Sequence, residues 1–149
     1  MSDFNLNRSN ILFIAEIGGN HEGNFNHAKK LVKDAISTGV QVVKLQTYRA
    51  SKLTNKLESP DRYKHFKKFE LSISQHKYLA EMCIDNGVYY NSSIWDEEAL
   101  IKLDRYLKFY KIGSGDLTAF PFLKKFLRRK KPIILSTGLS NFKEINQTV

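Results

Sequence analysis

Residues 28–46, AKKLVKDAISTGVQVVKLQ, decide the fold. Ala28, Leu31, Val32, Ala35 and Ile36 recur at helical spacing on one face, Gly39 supplies the stop, and Gln41 to Gln46 reads as a strand. A helix that ends in glycine and feeds directly into a short β-rich run is one period of a βα alternation, the pattern that builds a parallel sheet.

The alternation extends in both directions. Ile11 to Ala15 reads as a strand before it, and Val88 to Asn91, Lys108 to Ile112 and Pro132 to Leu135 read as strands after it. The helix ahead of the third strand opens with Ser72 three residues before Gln75, a capping-box spacing, continues through Tyr78, Leu79, Met82 and Cys83, and ends at Gly87. Asp96 suits the N-cap of the next helix, with Glu97 and Glu98 complementing the dipole in its first turn. A fourth helix packs Phe122, Leu123, Phe126 and Leu127, and Pro132 forbids its continuation; a fifth opens at Ser140 or Asn141. Residues 58–72, ESPDRYKHFKKFELS, read as part of a long βα loop.

Five strands and four complete helices predict an α/β fold, the N-terminal part of a parallel (β/α) TIM-barrel-like domain, left incomplete because eight strands typically take about 250 residues. An open doubly wound sheet fits the same alternation, but EIGGNHEG after the first strand contains no G-x-G-x-x-G. With 149 residues, 42% of them hydrophobic, the chain can bury one core, which makes disorder a poor reading. No window reaches the roughly 18 consecutive apolar residues of a membrane span, and MSDFNLNRSN lacks the apolar core of a secretory signal, so a cytoplasmic location is expected. Cys83, the single cysteine, falls among apolar residues and reads as structural. The net charge of +9 suits an anionic partner, whether nucleic acid, acidic membrane or a phosphorylated small molecule.

Residues able to do chemistry gather at the strand ends: Glu16, then Lys44 and Gln46, Ser92 and Ser93, then Lys111, Ser114 and Asp116, and finally Ser136 and Thr137. The C-terminal ends of parallel strands are where the active sites of such folds lie, so these scattered residues are expected to converge. Period-two alternation puts Leu12, Ile14 and Glu16 on one strand face and Val42, Lys44 and Gln46 on another. A lysine within VVKLQ loses much of its hydration and needs an anionic partner, either a bound ligand or a structural ion pair with Glu16. YKIGSGDLT adds Lys111 beside glycines that let backbone N–H groups approach an anion, although Gly113 and Gly115 read equally as turn residues. Ser136-Thr137-Gly138 reads as an anion-holding helix start or as a plain cap, and Asn20, His21 and Glu22 as a polar loop. Tyr89, Tyr90 and Trp95 read as packing. Of two basic clusters, Lys124 to Lys131 reads as the solvated back of a helix, and Arg62 to Lys68 as part of a loop able to cover a substrate.

The segments IAEIGGNHEGNFNHAKKLV, VVKLQTY, YKIGSGDL and PIILSTGL, in this order, resemble the N-terminal barrel segments of the sialic acid synthase family, over about Ile11 to Glu144. The resemblance implies a transferase of carbohydrate biosynthesis that condenses phosphoenolpyruvate with an N-acetylated sugar aldehyde such as N-acetylmannosamine, giving a nine-carbon 2-keto acid and phosphate. It implies that Lys44, Ser93, Lys111, Ser114 and Ser136 bind phosphoenolpyruvate, that Gln46 and Asp116 touch the sugar, and that Glu16 is an essential acid near the attacking water or the sugar hydroxyls. It also implies a divalent metal, Mn²⁺ or Mg²⁺, whose two histidine ligands map beyond Val149, as do the C-terminal half of the barrel and an antifreeze-like domain. His21, His27, His65 and His76 do not match the ligand positions. Ile94 stands where many members have proline, and Asp116 where some have glutamate. The expectation is a portion with little turnover alone, acting as a homodimer or with a C-terminal partner chain, on small molecules rather than nucleic acid or membrane. Two other readings stand beside it: an aldolase-like barrel using Lys44 or Lys111 as Schiff-base nucleophile, and a non-enzymatic basic binding fragment.

Overall fold

The structure, a computed structural model, describes residues 11–149. The N-terminal decapeptide, where the sequence shows no apolar signal core, lies outside the described residues. Five parallel strands alternate with helices: β1 Ile14–Gly18, α1 Phe25–Ser37, β2 Val42–Thr47, α2 Ala50–Leu53, α3 Pro60–Phe69, α4 Ile73–Asp85, β3 Tyr89–Ile94, α5 Glu97–Leu103, β4 Tyr110–Ile112, α6 Phe120–Leu127, β5 Ile133–Leu135 and α7 Phe142–Thr148. No described helix is long and apolar enough to cross a membrane.

The expected strands are all present, with shifted bounds. β1 begins three residues later than the hydrophobic run suggests and reaches Gly18, so Glu16 lies inside the strand instead of beyond its end. β3 likewise runs on through Ser92 and Ser93 to Ile94. The caps are as the sequence predicts: Ser72 and Gln75 form a reciprocal capping box, the Asp96 carboxylate accepts from the Ala99 N–H, and of the two candidates for the last helix Asn141 is the cap, in a box with Glu144. The long βα loop is a correction. It contains α2 and α3, and α3 carries a legible signature, Pro60 at its start, Asp61 in its first turn and Lys67 and Lys68 in its last.

The strands form two hydrogen-bonded ladders, β1-β2-β3 and β4-β5, rather than one continuous five-stranded sheet. Across the first ladder Glu16 lies beside Lys44, and Lys44 beside Asn91; Gln46 lies beside Ser93. Because successive side chains point to opposite faces, this register separates two layers. Val43, Leu45, Tyr90, Tyr110 and Ile112 face the helices and pack with Ala28, Val32, Leu79, Ala80, Leu100 and Phe126 in the core, whereas Glu16, Lys44, Asn91, Ser93 and Lys111 take the other face. Cys83 is buried in that core, which pushes its thiol up to about 12 and leaves it inert.

His21 is buried rather than part of a solvated polar loop, and His76 is buried as well. The His76 Nδ1 pairs with the Tyr90 hydroxyl at 2.9 Å, and the His21 Nδ1 accepts from the Gly23 N–H at 3.0 Å. Burial first, and His21 second, push His76 down to about 3 from the ordinary 6.5. Between those values the unfolded chain binds a proton that the folded chain refuses, so stability falls as pH drops below about 6.5. Urea denaturation is expected to show a loss on the order of 2–3 kcal/mol between pH 7 and pH 4.5 from this group. In His76→Phe the acid slope should flatten; an identical slope in the two proteins would show that His76 does not carry it.

Gly23 sets the position of α3. Its φ is +79°, and a Cβ there would stand 1.8 Å from the Lys68 carbonyl oxygen. Gly23→Ala is therefore expected to lift the end of α3 and expose residues 60–69 to limited proteolysis. Gly138→Ala, where nothing lies within 4 Å, should change the cleavage pattern little.

Candidate active site

β1 and β2 deliver the first two site residues as direct neighbours. Lys44 is only 4% exposed, and its Nζ lies 2.6 Å from Glu16 Oε2, while the Glu16 side chain remains about half exposed at 55%. The structural ion pair is thus formed, and its carboxylate faces solvent. β4 and β5 deliver the next two. Lys111 Nζ donates to the Ser136 hydroxyl and, at 3.2 Å, to the Ile112 carbonyl. The Ser136 N–H in turn donates to the same Ile112 carbonyl at 3.1 Å.

The two pairs lie close enough to act on each other. Burial first, and then the like charge of Lys44, hold the Lys111 ammonium below the ordinary lysine range, with Glu16 pulling the other way. Two ammonium groups, one of them nearly fully buried, and one half-exposed carboxylate therefore act on one another here. Such a grouping favours an added anion, and the hydroxyl of Ser136 provides a donor beside it.

The remaining candidates divide into those that join this cluster and those that lie beside it. Ser93, buried, is the register neighbour of Gln46 on the lysine-bearing face. Ser92 points the other way, its hydroxyl 2.7 Å from that of Thr47 among the helix-facing residues. Ser114 opens the 3-10 turn Ser114–Asp116, where its carbonyl accepts from the Leu117 N–H. Asp116 ends that turn, and its Oδ2 accepts from the Trp95 indole N–H at 2.9 Å. Thr137 and Gly138 are exposed.

Gln46 lines a cavity of about 220 Å³ together with Tyr48, Leu53, Arg62, Phe66 and Trp95. Its walls come from the end of β2, from α2 and α3, and from the residue after β3. Tyr48 stacks edge-on against both Phe66 and Trp95. Glu70 ties this cover down, its carboxylate accepting from the Ala50 N–H at 2.9 Å and from Lys67 at 3.0 Å. The loop that the sequence suggested could cover a substrate is thus a helix that forms part of a cavity wall. Tyr48, Phe66 and Trp95 were not legible as site residues. The Pro60 start of α3, with Phe66 and Phe69 three apart, carried the available signal.

Half of the second basic cluster is paired within the chain. Lys125 pairs with Glu97 at 2.6 Å, and Arg129 and Lys131 pair with Asp104. Among the described residues no three His, Cys, Asp or Glu side chains gather so as to hold a metal ion. The described residues therefore do not by themselves fit the metal that the resemblance implies.

Comparison with known proteins gives the family and the fold. The model of the NeuB family matches residues 31–149. An N,N'-diacetyllegionaminic acid synthase of Legionella pneumophila is 35% identical over 91% of this chain and 42% of its own length. The mouse N-acetylneuraminate-9-phosphate synthase is 31% identical over 90% of this chain and 41% of its own. The chain spans less than half the length of these curated relatives. In fold it is similar to the N-acetylneuraminic acid synthetase of Leptospira borgpetersenii, with a TM-score of 0.86 over 93% of this chain and 49% of that one, at 24% identity. A truncated 3-deoxy-D-arabino-heptulosonate 7-phosphate synthase of Thermotoga maritima shares the fold at a TM-score of 0.65.

The lysine cluster has a direct spectroscopic consequence. With ¹³C-labelled lysine, the Lys111 methylene signal should titrate at lower pH than those of exposed lysines. Lys44→Met should move it up by removing a like charge, and Glu16→Gln should move it further down. Titration of Lys111 together with the exposed lysines would show that the two charges do not share a site.

Proposed function

The chain belongs to the NeuB family, and from that premise we propose that it carries the phosphoenolpyruvate-binding part of a sialic acid synthase-type active site. The carrying observation is a pair of ammonium groups from the two ladders that act on each other, Lys44 bonded to Glu16 and Lys111 bonded to Ser136. The reaction is condensation of phosphoenolpyruvate with an N-acetylated amino sugar in its aldehyde form, giving a nine-carbon 2-keto sugar acid and phosphate. The setting is cytoplasmic carbohydrate biosynthesis.

In this reading Lys44, Lys111 and Ser136, with Ser93 and Ser114, bind the phosphate and carboxylate of phosphoenolpyruvate. The acceptor lies against Gln46 in the neighbouring cavity and against Asp116, which the Trp95 indole holds. C3 of the enol phosphate forms a bond to the aldehyde carbon, whose oxygen takes a proton. Water adds at C2, and the C2–O bond breaks to release phosphate. Lysines already oriented toward the leaving group stabilise its charge without reorganisation. The ligand also competes with Glu16 for Lys44, which frees the half-exposed carboxylate to accept a proton from water or a sugar hydroxyl. A divalent metal, Mn²⁺ or Mg²⁺, would supply Lewis acidity when bound, with ligands from outside this chain. The rest of the barrel comes from a C-terminal partner chain or segment, and little turnover is expected without it.

The lowered Lys111 pKa also favours a second reading, an amine nucleophile that forms a Schiff base with a carbonyl substrate. Borohydride trapping separates the two, because a Schiff base is reduced to a stable adduct and an ionic cradle is not.

Calorimetry on the chain is expected to detect phosphoenolpyruvate binding that weakens at least about tenfold in Lys44→Met, the equivalent of about 1.4 kcal/mol. Addition of the remaining barrel half of a family member, N-acetylmannosamine and Mn²⁺ should then release phosphate. Equal affinity in wild type and Lys44→Met would remove the basis for the assignment.

A further inference from the structure

β3 and β4 lie side by side without a backbone ladder, and two side chains of the β3 segment bridge the gap. At one end Asn91, fully buried, donates through Nδ2 to the Phe109 carbonyl at 2.8 Å. At the mouth Trp95 donates through Nε1 to Asp116 Oδ2 at 2.9 Å. The indole is itself held in place. Its backbone N–H donates to the Thr47 carbonyl at 3.2 Å, and its ring meets Tyr48 edge-on with centroids 6.0 Å apart. It also forms a wall of the cavity that contains Gln46.

We propose that Trp95 is a positioning residue for the sugar acceptor, its indole N–H fixing the Asp116 carboxylate while its ring forms a wall of the cavity. The inference rests on the acceptor reading of that cavity given above. A carboxylate at the end of a short turn can swing about its side-chain torsions, and a charge-assisted hydrogen bond to one oxygen removes most of that freedom. With Oδ2 occupied by the indole, Oδ1 remains to accept from a sugar hydroxyl. The bond also joins the β1-β2-β3 ladder to the segment that follows Lys111. The acceptor-binding carboxylate and the phosphoenolpyruvate lysines are thereby kept in register across the break.

The chain contains one tryptophan, so the indole gives a single resonance and a single fluorophore. In ¹H–¹⁵N spectra Asp116→Ala is expected to shift the indole cross-peak and speed its exchange with water, whereas Asp116→Asn, which keeps an acceptor oxygen, should largely preserve it. Trp95→Phe retains an aromatic wall and loses only the donor. It should weaken N-acetylmannosamine binding about tenfold while leaving phosphoenolpyruvate affinity within about twofold. A merely structural role would lower both affinities together, and that result would overturn the proposal, as would an indole resonance indifferent to Asp116→Ala. Failure of the wild type to bind N-acetylmannosamine, with the indole bond present, would instead overturn the acceptor reading and with it the purpose assigned to Trp95.

Discussion

One buried charge constrains much of this molecule. Lys44 lies in the middle strand of the first ladder with almost no contact with water, and a solitary ammonium there would carry a desolvation penalty of several kcal/mol. Glu16 on the adjacent strand offsets it at 2.6 Å. Because side chains alternate, that pairing requires the register in which Glu16 and Lys44 are direct neighbours; a slip of one residue would turn the lysine into the helix-facing core. The same register places Val43 and Leu45 against the helices. Burial of the apolar residues and pairing of the charge thus select one arrangement.

The chemistry depends on the imbalance that this arrangement leaves. Lys111 reaches the same face from the other ladder and adds a second positive charge, and burial first, with the like charge of Lys44 second, makes its proton less tightly held. An anionic ligand would correct both the charge and the hydration deficit.

The cover over the adjoining cavity is built from close contacts rather than a large apolar interface. α3 buries none of its residues fully. It is held by the approach of its C-terminal end to Gly23, by the Glu70 carboxylate accepting from Ala50 N–H at the start of α2, and by Phe66 against Tyr48. The helices behind the sheet pack around fully buried Leu79, Leu100 and Leu103. The back of the sheet is thus firmly packed and the cavity cover lightly attached. Elsewhere Phe13 on the β1 side and Leu139 and Phe142 beyond β5 expose apolar surface, and β5 is only partly covered.

What the sequence by itself determined is local or periodic: the βα alternation, the helix faces, the Ser72, Asp96 and Asn141 caps, and the strand-end lysines whose burial demanded an anion. These follow from spacing and hydration, which act over a few residues and are visible in one dimension. Tertiary structure alone decided which partners met across long separations. It paired Lys44 with Glu16, set Ser136 on Lys111, buried His21 and His76, and turned Ser92 away from the site while keeping Ser93 on it. It also broke the sheet between β3 and β4 and gave Trp95 the carboxylate of Asp116, a bond across 21 residues that no local pattern encodes. The physical reason is that a hydrogen bond or ion pair has a reach of about 3–4 Å in space, whatever the separation along the chain. Packing of the helices on the sheet determines which groups come within it.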